Sequence, residues 1–227
     1  MTEANVAGIV LLSLKVSATA MVFAVPIAFA VAWILARHEF AGKSLVQALV
    51  TLPLVMPPVV TGYFLLVLFG FNGMIGAAFR AIGIDFAFRW EGAALAAGVM
   101  AFPLLVRPMR LSIETLDRGL EEAAATLGAG RLMRFFTITL PLVLPGIIAG
   151  AVLGFAKALG EFGATITFVS NIPGETQTLS LAIYSLLQSP AGDRTMVVLI
   201  VISACLAIGS VLVSEWVGRR IGQRRRA

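Results

Sequence analysis

Glu121-Glu122-Ala123-Ala124-Ala125-Thr126-Leu127-Gly128-Ala129-Gly130 runs into Arg131-Leu132-Met133-Arg134-Phe135-Phe136-Thr137-Ile138-Thr139-Leu140-Pro141. This charged, alanine-rich stretch stands inside a chain that is otherwise strongly apolar. Leu116, Leu120, Ala123, Ala124 and Leu127 recur at helical spacing, so one side of a short helix is apolar. Gly128 and Gly130 permit a tight turn, because glycine reaches positive φ without strain. Leu132, Met133, Phe135 and Phe136 then begin a second apolar face beside Arg131 and Arg134. The reading is two short helices with a glycine joint. An amphipathic loop of this kind lies on lipid headgroups or docks into another protein.

Outward from this loop the chain turns apolar in both directions. Hydrophobic residues make up 59% of the sequence and charged residues 13%, with mean hydropathy +0.97. A soluble domain is nearer half apolar and a quarter charged, so this much apolar surface must face lipid or other membrane helices. A helix crosses the hydrocarbon with roughly 20 apolar residues. Five segments reach that length, at roughly 10–36, 45–71, 92–111, 140–165 and 196–218, within one domain covering 1–227. They leave a loop at about 112–139 on one side and a segment at about 166–194 on the other. The expected fold class is an all-α membrane protein.

The basic residues give the orientation. Arg37 and Lys43, then Arg107, Arg110, Arg118, Arg131 and Arg134, then Arg219, Arg220, Arg224, Arg225 and Arg226 all fall on one side. The opposite side holds only Arg80, Arg89 and Arg194. The positive-inside rule therefore places the N-terminus outside and the C-terminus in the cytoplasm, as an odd number of spans requires. The net charge of +5 reports topology and contact with anionic lipid, so nucleic acid is not an expected partner. Ala28-Phe29-Ala30 looks like a signal-peptidase site, but nothing basic precedes Lys15 and the apolar run is long; the first span reads as a retained helix. Lys15 can snorkel outward, and His38 reads as a solvated turn residue. The lone Cys205 excludes an internal disulfide framework.

Glu122-Ala123-Ala124, Gly128, Ile138 and Leu140-Pro141 stand at the spacing of the EAA loop of binding-protein-dependent ABC importer permeases, which the chain resembles. Thr51 to Tyr63, Phe135 to Gly146 and Gly160 to Thr176 further resemble the molybdate permeases, and less closely the sulfate permeases. The resemblance implies a type I ABC importer permease fold in the bacterial inner membrane. It implies that Glu121, Glu122, Ala123, Ala124, Gly128, Arg131 and Arg134 form the contact with ATP-binding cassette ATPase subunits. It also implies a second copy of the chain around a shared pathway and a periplasmic oxyanion-binding protein outside. The chain lacks the GxxxxGK[ST] signature, so it is read as a non-catalytic subunit with no cofactor and no metal site.

The candidate pathway and gate residues are Pro53, Pro57, Pro58, Lys157, Glu161, Thr165 and Thr167. Prolines inside a span leave carbonyls unpaired, which is tolerated where protein or a wet cavity satisfies them; alternatively they only bend the span. An intramembrane lysine is costly unless functional or paired. Lys157 therefore either meets the anion or pairs with Glu161, four residues on. Thr165 and Thr167, with Ser170, offer hydroxyl donors to a tetrahedral dianion. Gly146, Gly150, Gly154 and Ala158 form a small-residue stripe, read as packing and a candidate dimer seam. Phe79 to Trp90 reads as a receptor-docking surface or an interfacial aromatic helix. Two rival classes fare poorly. A membrane-embedded enzyme would need a catalytic set that one His and one Cys do not assemble. A passive channel gives no reason for the loop's spacing.

Overall fold

Ala20, Ala24, Ala28 and Ala32 recur every fourth residue and are all buried, so one stripe of the first helix is nearly flat. The computed structural model, which describes residues 3–188 and 193–223, carries this stripe on α1 (Glu3–Arg37). It packs against α5 (Trp90–Glu114), whose own buried face is Ala93, Ala94, Ala96, Ala97, Gly98 and Ala101. Small residues on both sides let the two backbones approach closely. On its other side α5 meets α8 (Leu140–Leu159) through Gly146, Gly150 and Gly154. A Cβ on Gly146 would sit 2.1 Å from Ser112 Oγ, and one on Gly150 2.9 Å from the Leu105 carbonyl oxygen. The glycine stripe is therefore an intramolecular seam with α5, and the dimer-seam reading of it is corrected. Central α5 between α1 and α8 forms the core.

Two aromatic–cation contacts mark the ends of the bundle. Lys15 Nζ lies 3.5 Å from the centroid of the Trp90 ring, and the Arg37 guanidinium lies 5.0 Å from that of Trp33. Lys15 and Arg37 are about 33 Å apart along α1 at 1.5 Å per residue, close to the hydrocarbon thickness. Trp and basic side chains belong at such interfaces. Five apolar passes fit the chain only if a bent pair counts as one of them; four helical stretches are long enough alone: Val6–Arg37, Trp90–Glu114, Arg131–Leu159 and Arg194–Val213.

The bent pair is the main departure from the sequence reading. The stretch 45–71 is not one helix but α2 (Lys43–Val55) and α3 (Pro58–Phe69), turned by 115°. Pro57 and Pro58 each lack an N–H and disfavour helical backbone before them, so Met56 turns to the extended region. A shorter helix α4 (Met74–Arg80) follows. Likewise 140–165 is not continuous: α8 ends at Leu159, and α9 (Gly163–Val169) starts after a break. The outer segment is also more structured than a loop. It contains α10 (Leu179–Leu187), which buries Leu179, Leu181 and Ala182, and its first N–H donates to Ser13 Oγ of α1 at 2.7 Å. The last helix is α11 (Asp193–Gln223), which packs on α8 and α10 and leaves most of its apolar surface exposed. Arg224, Arg225 and Arg226 of the basic tail, and Ser189 to Gly192 of the outer segment, lie outside the described residues.

Candidate functional site

The loop between α5 and α8 folds as two helices, α6 (Arg118–Thr126) and α7 (Arg131–Arg134). Asp117 caps α6, its carboxylate accepting the Gly119 N–H at 2.8 Å. At the other end Gly128 stands at φ +86°, its N–H donating to the Ala125 carbonyl and that of Ala129 to the Ala124 carbonyl, each at 3.0 Å. That pair of bonds is the Schellman arrangement, which needs a left-handed residue at this position. Nothing lies within 4 Å of a Cβ added there, so backbone conformation alone calls for glycine.

After α7 the helix widens into a π turn, Phe135–Thr139, in which the Leu140 N–H reaches back to the Phe135 carbonyl. The cause is local. Pro141 has no N–H and its ring crowds the carbonyl four residues earlier, so the turn admits one extra residue; such turns recur at functional sites.

The loop's charged residues divide sharply. Glu121 turns inward: its Oε1 accepts Arg37 Nη2 at 2.8 Å and Thr139 Oγ1 at 2.5 Å. The Glu121 backbone carbonyl accepts Arg134 Nη1 at 3.3 Å. Glu122, Ala123 and Arg131 are exposed, and Ala124 and Arg134 are half-buried. Around Glu122 the loop also exposes Leu127 at 88%, Leu132 at 75%, Met133 at 62% and Phe136 at 60%. The loop thus presents several large apolar side chains beside a charged helix.

At the other end of α8 some of the candidate pathway residues come together, though not as free donors. Lys157 Nζ donates to Glu161 Oε2 at 2.6 Å, and Glu161 Oε1 accepts the Ala164 N–H at 3.0 Å. The Glu161 side chain is 2% exposed and that of Lys157 is 30% exposed. Between the two alternatives for Lys157, the structure shows the internal pair. Thr165 is buried, and Thr167 Oγ1 donates to the Gly163 carbonyl at 2.9 Å. Both sit on α9, which crosses α3 at very close range. A Cβ on Gly62 would meet the Ala164 carbonyl at 2.5 Å, and one on Gly163 would meet Pro58 Cβ at 2.6 Å. Pro58 thus belongs to the α3–α9 crossing, while Pro57 is exposed at the break. Pro53 instead lines a largely apolar cavity of about 960 Å³ between α1, α2 and α5, with Asp85, Arg89 and Glu91 at its rim.

Several residues of these sites carry no local signal. Arg37, Thr139, Gly62 and Thr61 belong to them only through distant partners. Thr61 is buried beside Gly62 and its hydroxyl has no hydrogen-bond partner among the described residues. At the outer end, Ser170 follows α9 at φ +63°, ψ −162°, a region nearly confined to glycine. Its carbonyl accepts from the wholly buried Thr176 hydroxyl, which in turn accepts the Ile172 N–H.

A helical bundle with a capped two-helix loop at one end and a broken helix pair at the other is the architecture of ABC importer permeases. A crystal structure of a bacterial ABC transporter that imports the acidic polysaccharide alginate matches this fold with TM-score 0.74 at 21% identity, covering 97% of this chain and 81% of that one. The chain belongs to the family of binding-protein-dependent transport system inner membrane components, whose pattern it matches over residues 24–225. It is thus a transport subunit of the inner membrane. The molybdenum transport system permease protein ModB of Escherichia coli K12 is 58% identical over 211 residues, 92% of each chain. The sulfate transport system permease protein CysT of Salmonella typhimurium LT2 is 38% identical over 193 residues, 84% of this chain and 70% of the relative.

Proposed function

We propose that this chain is the permease subunit of a molybdate importer. Two copies enclose a pathway for the oxyanion, an outer binding protein delivers it, and separate ATPase subunits bind below. The N-terminus lies outside and α6 faces the cytoplasm, following the asymmetry of the basic residues. The observation that carries the reading is the likeness to the molybdenum permease, which spans nearly the whole of both chains. The weaker and shorter likeness to the sulfate permease ranks sulfate second.

In this reading the exposed edge of α6 and α7 is the ATPase socket. Leu127, Leu132, Met133 and Phe136 supply apolar area, and Glu122 and Arg131 set the register by charge. The α3–α9 crossing is the gate. Lys157, neutralised by Glu161, offers the anion no tight partner, so release stays fast. Thr61 adds a hydroxyl that no described residue engages.

Membrane vesicles carrying the permease, ATPase subunits and binding protein test the substrate with labelled molybdate against labelled sulfate. ATP-dependent molybdate uptake, with sulfate a poor competitor, is the expected result. Sulfate uptake of equal or greater efficiency overturns the substrate assignment, and uptake without any ATPase subunit overturns the coupling. In the same vesicles Glu122→Gln should weaken co-purification of the ATPase subunits while membrane insertion stays intact.

A further inference from the structure

We infer that Glu121 is a positioning residue that latches the coupling helix α6 to the inner end of α1, so that α1 moves with the loop during transport. The inference rests on the reading of α6 as the element moved by the ATPase.

The argument begins with what holds α6 in place. None of its residues is buried, so apolar packing does little to fix its position. Its polar ties are concentrated in Glu121. One carboxylate oxygen serves Arg37 on α1 and Thr139 in the π turn, and the same residue's carbonyl serves Arg134 on α7. Three separate elements therefore meet at one residue, two of them at its side chain, and Arg37 is 84 residues away in sequence.

The side chains of Arg37 and Glu121 are only 13% and 20% exposed. An ion pair so enclosed is screened far less than a surface pair. Arg37 is itself oriented by the ring of Trp33, whose edge meets Phe135 of the π turn with centroids 5.7 Å apart. Phe29 of α1 also meets Phe135, at 6.3 Å. The aromatic contacts fasten α1 to the π turn, and the polar latch ties α6 to both. Adjacent glutamates divide the work: Glu122 faces outward to a partner, and Glu121 carries the partner's push to α1 and α8.

The test uses the whole complex in vesicles, with labelled molybdate uptake and ATP hydrolysis measured together. Glu121→Gln keeps an acceptor but loses the charge; Arg37→Gln leaves α6 untouched. Each should lower uptake per ATP hydrolysed by about tenfold, with co-purification of the ATPase subunits retained. The double variant should be no worse than either single one, because both remove the same tie. An unchanged ratio, multiplying losses, or loss of ATPase binding in Glu121→Gln overturns the latch.

A second measurement needs no transport. With Cys205→Ser, spin labels at exposed positions Ile34 of α1 and Ala125 of α6 report their separation in the permease alone. A narrow distribution that broadens in Glu121→Gln supports the latch, and equal widths overturn it. Failure of the unmodified complex to take up molybdate, with the narrow distribution intact, strikes the proposed function and leaves the latch standing.

Discussion

Where α8 crosses α5, three glycines face backbone and side chains so tightly that single added carbons collide. Where α2 lies on the same bundle, none of its residues is buried, and Leu45, Leu49, Leu52, Leu54 and Val55 all stand exposed. Both helices are apolar and both carry proline. They differ in the size of the residues on the inward side. In a membrane no hydrophobic force separates inside from outside, so helices that touch do so where small residues permit close approach. Large apolar residues are left for lipid or for another copy of the chain. The α5–α8 seam is the fixed frame, and the α2 face is surface.

The comparison can be broken most severely at Gly146. Gly146→Val places carbon against Ser112 Oγ and within 2.8 Å of the Pro108 carbonyl, and should cost about 3 kcal/mol or more. Unfolding of the purified permease in detergent measures it, and an unchanged midpoint would show the seam to be looser than described. Gly62→Ala comes next, because its Cβ meets backbone of α9 at 2.5 Å; a loss of about 2 kcal/mol is expected by the same measurement. Leu52→Ala, on the exposed face, should shift the stability of a single chain by only about 0.5 kcal/mol. Its effect should show in self-association, read by cross-linking in the membrane, if α2 faces the second copy.

The smallest effect lies in the turn after α1. Lys43 donates to Glu39 at 2.6 Å, and this hydrogen bond first, then the lysine's charge, holds the Glu39 carboxyl below its ordinary value. The pair's support is present above the unfolded carboxylate pKa and fades as pH falls through the depressed folded one. Lys43→Met should return the Glu39 titration to the ordinary carboxylate range, as carboxyl NMR in detergent would register.

How far the chain alone discloses these features depends on the distance between partners. The joint at Gly128 is legible because its cause is local: a left-handed turn that two glycines announce. The pairing of Lys157 with Glu161 is one of two alternatives their spacing allows, and the geometry selects it. Pro57-Pro58 reveals a break, but not a turn of 115°, since the crossing with α9 that accommodates α3 lies a hundred residues on. The glycine stripe reads as packing, yet only the fold shows that α5 fills it. Glu121 and Glu122 look alike in sequence and are separated by Arg37, which nothing nearby announces.

One consequence of the π turn at Phe135–Thr139 concerns length. A residue inserted into an α-helix rotates everything beyond it by about 100° and shifts it by about 1.5 Å. The wide turn takes up such a residue within itself, because its longer hydrogen bonds fit one more residue into a single turn, and so it keeps the loop helices in phase with α8. A chain shortened by one position there would remain helical and apolar, and would insert as before. Leu132 and Arg131 would then keep close to their present aim, whereas a residue added to the regular helix beyond the turn would rotate them by about 100°.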